Sequence, residues 1–372
     1  MSDKQTFLKD KPYGFIPLME NCDRGLGKPH NRFDRDTFSG KLKIQLNAKT
    51  MLHIGDGQVE VLADDGGLLH KMMRRNGQVV IPGSSVKGMV RSIAEAVSHS
   101  CAVKLPDPKL QEMKCALPSS NKEQCQTTDR ICPACSIFGM AFDKAGYRGK
   151  VVFGEFTGEL APKILEYEIS AQEAPFKNYP KTHDMFRLGS NFGNERLYYC
   201  MACDQRKTGG CDSCDKSNYF SNRDTAGENR PMRLRGRKFY KLGAGGYPLE
   251  GDNNGGKRSL FEMVDKGSSF VGEIVFQGLT KRELSLLFFS LGLDGSFSPA
   301  LGYAKSSGFG LIQTVLGGVE DLMSRYQGHG ILTDEYVKQL AKEYGQISDP
   351  SDVKSAIREL RSLRGDSEYG TL

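Results

Sequence analysis

The sequence has no apolar run near the ~18 residues that span a bilayer. Its opening stretch, Met1-Ser2-Asp3-Lys4-Gln5-Thr6-Phe7-Leu8-Lys9-Asp10-Lys11, carries charges where a secretory signal needs apolar residues. A cytoplasmic protein with no membrane partner is therefore expected. The G-x4-G-K-[ST] signature is absent, which removes P-loop chemistry. No repeat at a solenoid period is present. With 38% hydrophobic and 9% aromatic residues the chain is too apolar to be disordered, and it has enough apolar material for a sizeable core.

What is present is a chain of 372 residues, enough for two or three domains or for one domain with large insertions. The net charge of +6 points mildly to an anionic partner. Glycine is abundant at 43 residues, so tight turns and close backbone approaches are expected.

Periodicity places a few elements. Leu42, Ile44, Leu46 and Ala48 alternate with polar residues, which reads as a strand with one buried face. Residues 58–78 are polar and irregular, and residues 79–83 close that segment. A helix follows with Ser84 or Ser85 as N-cap and Val86, Met89, Val90, Ile93 and Val97 on one face. Residues 100–136 have no periodicity. Strands are predicted over 150–156, 269–276 and 309–315, with 165–255 irregular. Thr280 to Glu283 forms a capping box before Leu284, Leu287, Phe288 and Leu291. The order β–α–β…β–α–β suggests an α+β fold with a ferredoxin-like, RNA-recognition-motif-like core carrying large insertions. An arm occupies 1–37, the core 38–316 and a helical tail 317–372. In the tail Val337, Leu340 and Tyr344 share one helix face, and Val353, Ile357, Leu360 and Leu363 another. Those faces suit either a cap on the domain's own core or a docking surface.

Ten cysteines are present, and in a reducing compartment clustered thiols are commonly metal ligands. Cys115, Cys125, Cys132 and Cys135 lie in an insertion at 100–137, with Cys101, His99 or His70 as possible substitutes for the first two. Cys200, Cys203, Cys211 and Cys214 form C-x2-C-x7-C-x2-C, a compact zinc-knuckle spacing within an insertion at 165–245. Two structural zinc sites are expected, each closed by four thiolates. Cys22 and Cys101 read as plain buried thiols otherwise.

Three further segments carry chemistry. In Ile81-Pro82-Gly83-Ser84-Ser85-Val86-Lys87-Gly88-Met89-Val90-Arg91, a helix start with two hydroxyls precedes Lys87 and Arg91 at i and i+4, a pattern that can bind phosphate. It is also the pattern of an ordinary capped helix with solvated charges. Leu301-Gly302-Tyr303-Ala304-Lys305-Ser306-Ser307-Gly308-Phe309-Gly310 frames a cation and two hydroxyls with glycines. It lacks the strand-before, helix-after setting of a dinucleotide fingerprint, and a plain turn is the competing reading. The run from Arg230 through Arg233, Arg235, Arg237, Lys238 and Tyr240 to Lys241 mixes cations with aromatics and has no acid, which suits single-stranded nucleic acid.

Taken in order, these motifs resemble the RAMP superfamily, which builds CRISPR effector complexes. The likeness is carried by Ile81 to Gly88, by Gly302, Lys305, Gly308, Phe309 and Gly310, and by Cys132-Pro133-Ala134-Cys135-Ser136-Ile137-Phe138-Gly139. Pro12-Tyr13-Gly14-Phe15-Ile16-Pro17-Leu18 and Arg235-Gly236-Arg237-Lys238-Phe239-Tyr240 look like a type III-D-like branch, and related type VII systems are similar. The resemblance implies a backbone subunit that polymerises with copies of itself along a CRISPR RNA and displays it to target RNA, beside other effector subunits. It implies guide contacts from the helix start and the glycine-rich loop, here Ser84, Ser85, Lys87, Arg91, Gly302, Lys305, Gly308 and Gly310, while Arg233, Arg235, Arg237, Lys238 and Tyr240 are expected RNA contacts from the basic run itself. It also implies a thumb within residues 165–245, although a zinc knuckle there is not general in the family.

Type III relatives cut target RNA with an Asp in the loop after the first strand. Asp64 or Asp65, with magnesium, would take that role here, and Asp56 lies in the same loop. A passive scaffold to which a separate nuclease docks is equally compatible. So is a processing endoribonuclease using His53, His70 or His99, and so is a zinc-stabilised interaction protein without RNA.

Overall fold

The computed structural model describes residues 13–19, 21–27, 30, 34, 36–63, 66–101, 125–143, 145–158, 161–168, 197–200, 205–208, 219–220, 237–241, 259–305, 308–324 and 331–365. The strands are β1 Tyr13–Ile16, β2 Thr37–Ala48, β3 Gly55–Val61, β4 Leu68–Met72, β5 Arg74–Arg75, β6 Gln78–Ile81, β7 Gly139–Phe142, β8 Ala145–Arg148 and β9 Val151–Phe153. They continue with β10 Phe156–Gly158, β11 Ile164–Glu168, β12 Leu197–Cys200, β13 Gln205–Thr208, β14 Tyr219–Phe220, β15 Arg237–Tyr240, β16 Ser259–Val264, β17 Ser269–Thr280 and β18 Ile312–Asp321. The helices are α1 Gly83–Ala96, α2 Pro133–Phe138, α3 Lys281–Ser290, α4 Asp334–Gly345 and α5 Ser351–Arg364. The fold is α+β, with many strands and few helices.

The main sheet runs β18-β2-β17-β10-β6-β5, and β9 also pairs with β17. Its centre is the long antiparallel pair β2–β17. As the alternation requires, β2 buries Leu42, Ile44, Leu46 and Ala48, while Lys41, Lys43, Gln45 and Asn47 take the other face. From β17, Phe270, Ile274 and Phe276 join the same core. Opposite Ile44 stands Gly272. A Cβ there would come 2.6 Å from the Phe156 ring, so glycine makes room for a fully buried phenylalanine. Each such buried Leu, Ile or Phe contributes about 1.5–3 kcal/mol of transfer free energy.

The capping box at α3 forms as predicted. The Thr280 hydroxyl accepts from Glu283 N–H, and the Glu283 carboxylate accepts from Thr280 N–H at 2.9 Å. Leu284, Leu287, Phe288 and Leu291 are buried. In the tail, α4 and α5 lay their apolar faces on the body of the fold. The Tyr344 hydroxyl donates to Val97 O at 2.8 Å, and Leu363 occupies the space left by Gly14, where a Cβ would meet it at 2.5 Å. The arm is tied down by β1, which pairs with β15.

Several boundaries differ from the sequence reading. The single strand expected over 150–156 is two strands, β9 and β10, broken at Gly154, whose N–H bonds Glu273 O at 2.8 Å. The break lets the Pro82-Gly83 corner press on the carbonyls of Phe153 and Gly154, too close for any Cβ at position 83. Helix α1 is capped by Pro82 without a side-chain bond, so Ser84 and Ser85 lie inside its first turn rather than at its N-cap. The last strand begins at Ile312, because the backbone before it closes a loop. Residues 58–78, expected to be irregular, include β3, β4 and β5. Every residue of β3 is exposed, so no alternation marked it. In a second sheet β11-β16-β4-β3, β3 is the free edge. Among the described residues no helix is long and apolar enough to cross a membrane.

Candidate functional site

Four buried cysteines converge beside α1. Cys132 is the N-cap of α2, and its sulfur accepts from Cys135 N–H at 3.5 Å. The Cys125 sulfur accepts from Cys132 N–H at 3.3 Å. Cys101 lies 3.6 Å from both the Cys132 and Cys135 sulfurs, and the ligand atoms of all four cysteines are within 4.8 Å of one another. Zinc–sulfur bonds of about 2.3 Å in a tetrahedron put sulfurs about 3.8 Å apart, so this set could hold a metal such as zinc. Cys101 takes the place that the sequence reading gave to Cys115, which lies outside the described residues. Cys101 is thus more than the plain buried thiol otherwise expected. Hydrogen bonding to Cys101 lowers the pKa of the Cys125 thiol, and the same contact holds Cys132 well below its usual range. Cys22 adjoins the set by hydrogen bonds to Cys125 and Cys132, which raise its pKa.

Cations surround the sulfurs. Arg91 donates to the Cys135 sulfur at 3.8 Å and to Gly139 O at 3.0 Å. Its Nε meets Glu95 Oε1 at 2.8 Å, while Glu95 Oε2 meets Arg237 Nη1 at 2.7 Å. Arg237 also donates to Cys101 O at 3.2 Å. Glu95 and Arg237 are buried, at 7% and 8% exposure. Arg91 and Arg237, expected on an RNA-facing surface, instead point inward. A buried carboxylate needs compensation, and two arginines supply it. Helix geometry places Arg91 and Glu95 one turn apart on the face toward the cysteines.

Lys87 differs from Arg91. It sits part-exposed beside Ser84 and Ser85, and among the described residues it makes no ion pair. Partial burial and the nearby Arg91 lower its pKa.

The glycine-rich loop is a closed lasso. Leu301 N–H bonds Gly310 O at 2.8 Å, Gly310 N–H bonds Met51 O at 2.8 Å, and Tyr303 N–H bonds His53 O at 2.9 Å. Gly302 has φ +83° and Gly310 φ +80°, and a Cβ at either would collide with a carbonyl, that of His53 or Leu301. Only glycine satisfies both demands. The Lys305 ammonium donates to Gly302 O, and burial, aided by Arg364, pushes its pKa down to about 8.

Aromatic rings gather against this loop. Phe261 lies parallel to His70 at 4.3 Å and 8°, and parallel to Tyr303 at 5.0 Å and 15°. His53 meets both Phe261 and Tyr303 edge-on. Its Nδ1 donates to Glu262 O at 2.8 Å, and burial lowers its pKa, which keeps the ring neutral. His53 and His70 are therefore packing partners, while His99 pairs with Asp352 at 2.8 Å.

In the basic segment, Lys238 lies over the Tyr240 ring at 5.2 Å, while Arg233 and Arg235 are outside the described residues. Leu62 N–H bonds Gly67 O at 2.7 Å, closing the turn between β3 and β4. Asp64 and Asp65 fall in that turn but outside the described residues. Cys203, Cys211 and Cys214 also lie outside the described residues, while the backbone of Cys200 ends β12. Sequence reasoning missed Glu95 and Phe261, and it gave Tyr303 no role within the glycine-rich motif. Only the acid's i+4 spacing from Arg91 could have flagged one of them.

A family model described as the RAMP superfamily matches residues 45–313. No curated protein matches the chain. Among 153 matching chains of solved structures is one from a structure described as "Type IV-B CRISPR Complex". It is 14% identical with a TM-score of 0.32, over 81% of this chain and 99% of that chain.

Proposed function

The chain belongs to the RAMP superfamily, and we propose that it is a CRISPR RNA-binding backbone subunit that holds the guide and presents it to target RNA. The observation that carries this reading is the lasso at residues 301–310. Its three left-handed glycines, Gly302, Gly308 and Gly310, wind the backbone tightly, with Gly302 and Gly310 packed on the carbonyls of His53 and Leu301, and the loop carries the exposed Tyr303 and the cation Lys305. Ser84, Ser85 and Lys87 at the start of α1 supply further donors for guide phosphates, and Lys238 and Tyr240 on β15 are proposed as additional RNA contacts.

The sheet order supports a ferredoxin-like core. β17 lies between β2 and β10, and β2 lies between β17 and β18. Each helix-bearing pair is thus split by a strand of the other pair, as in a split βαβ arrangement. Cys101, Cys125, Cys132 and Cys135 are proposed to bind zinc. Four thiolates leave no open position, so that ion would hold structure rather than do chemistry. Cys200, Cys203, Cys211 and Cys214 are proposed to hold a second zinc in a thumb at 165–245. Partners are further copies of the chain and other subunits of a type III-D-like or type VII-like complex. Where the assembled complex cuts target RNA with magnesium, Asp64 or Asp65 is the proposed carboxylate, and Asp65→Ala then removes the cuts while sparing binding.

Sequencing of RNA that co-purifies with the chain, expressed beside its own CRISPR locus, tests the reading. Repeat-derived guide RNA enriched over total RNA supports it. Protein free of RNA, or RNA matching the bulk pool, contradicts it.

A further inference from the structure

Among the exposed side chains Tyr303 is unusual. It is 56% exposed, yet its backbone and one side of its environment are fixed. The N–H is bonded to His53 O at 2.9 Å, and Gly302 before it has no room for a Cβ. Ala304 after it holds φ +54°, a conformation that L residues rarely adopt. The ring lies parallel to the buried Phe261 at 5.0 Å, and Phe261 in turn lies parallel to His70 at 4.3 Å. His70 and Phe261 are neighbours across the β4–β16 pair, so the sheet itself sets their rings side by side. The edge of His53 closes the cluster.

A phenol that served only the core would be covered. This one is held in a fixed plane, on a buried aromatic base, with more than half its surface in water. We propose that Tyr303 is a stacking platform for one unpaired nucleobase of the bound RNA. The inference rests on the RNA-binding reading above and deepens it, assigning a base face where that reading assigned only backbone contacts. Every base has a π-face, so the contact carries no sequence preference and suits a guide whose spacer varies. Lys305, two residues on, sets a cation near the same nucleotide.

The test uses the full chain and a single-stranded RNA of natural guide sequence carrying 2-aminopurine or an abasic site at each position in turn. Wild-type protein should quench 2-aminopurine at one position, and an abasic site there should cost roughly 5- to 100-fold in affinity. Tyr303→Ala should lose a similar factor on the intact RNA and become insensitive to that abasic site. Tyr303→Phe should stay within about twofold. The salt slope should not change in either variant, because no phosphate contact is lost.

Thermal melting separates a collapsed loop from a lost contact. If Tyr303→Ala does not fold, the wild-type abasic scan and Tyr303→Leu decide alone. RNA binding with no position sensitive to an abasic site, or a Tyr303→Leu variant that binds as wild type, overturns the platform and leaves the RNA reading standing. Failure of the wild-type chain to bind RNA overturns both. Normal RNA affinity with lost self-association in Tyr303→Ala would assign the ring to a protein contact and overturn the inference.

Discussion

The carboxylate of Glu95 on α1 meets the guanidinium of Arg237 on β15 at 2.7 Å, with both side chains under a tenth exposed. This pair joins a helix of the core to the strand that holds the N-terminal arm. The second Glu95 oxygen takes Arg91, whose outer nitrogen reaches the Cys135 sulfur. A cation expected to touch RNA thereby becomes part of the wall of a cysteine cluster.

Removing one partner leaves the other charge buried. Glu95→Ala is expected to destabilise the fold by about 3–5 kcal/mol, the usual cost of breaking a buried pair. Urea denaturation gives the value, and a loss under 1 kcal/mol would show the pair to be incidental. Arg237→Ala should lose stability in the same way and leave the salt slope of RNA binding unchanged.

Lys87 and Arg91 should separate cleanly. Lys87→Ala is expected to keep its melting temperature and to lower the log–log salt slope of RNA binding by about 0.7, the share of one phosphate on a single strand. Arg91→Ala is expected to lower the melting temperature instead. Filter binding across salt and thermal melting read both, and the reverse pattern would place Arg91 on the RNA.

Metal content distinguishes the two candidate ligand sets. Cys101→Ser should release one equivalent of zinc, and Cys115→Ser should release none from the buried cluster. Elemental analysis of the purified variants checks this. Zinc lost from Cys115→Ser with Cys101→Ser intact would restore the spacing-based assignment.

If Lys305 meets an RNA phosphate as proposed, RNA binding is expected to depend on pH. Its ammonium is charged below about 8 and neutral above, where an ordinary lysine would remain charged to about 10.5. A phosphate contact needs the charged form. Affinity should therefore be flat from pH 6.5 to about 8 and fall above it, until the pKa of the bound state is passed. Lys305→Met should be weaker and flat over the same range. A wild-type profile unchanged between pH 7 and pH 9 would remove Lys305 from the interface.

Much of the scaffold was legible because burial on one face leaves a period. The alternation in β2 and the capping box at Thr280 both translated directly into structure. β3 was invisible for the opposite reason: exposed on both faces, it has no hydrophobic phase to read. The cysteine spacing showed that thiols gather but left open which thiol completes the set, since Cys101 lies 24 residues before Cys125 and only the fold brings them together. The inward turn of Arg91 was hidden because two of its partners, Cys135 and Gly139, are remote in sequence, as is Arg237, which takes the other oxygen of Glu95. Phe261 and Tyr303 meet through a sheet pairing and a loop, and neither leaves a local signature.

The central claim is that RNA lies against the start of α1 and the lasso at 301–310. Ultraviolet cross-linking of the RNA-bound particle, with adducts located by mass spectrometry, tests it most directly. The account predicts nucleotide adducts on peptides spanning residues 82–91 and 301–310, with Tyr303 among the modified residues. Adducts confined to other surfaces, with both of these peptides recovered unmodified, would contradict it.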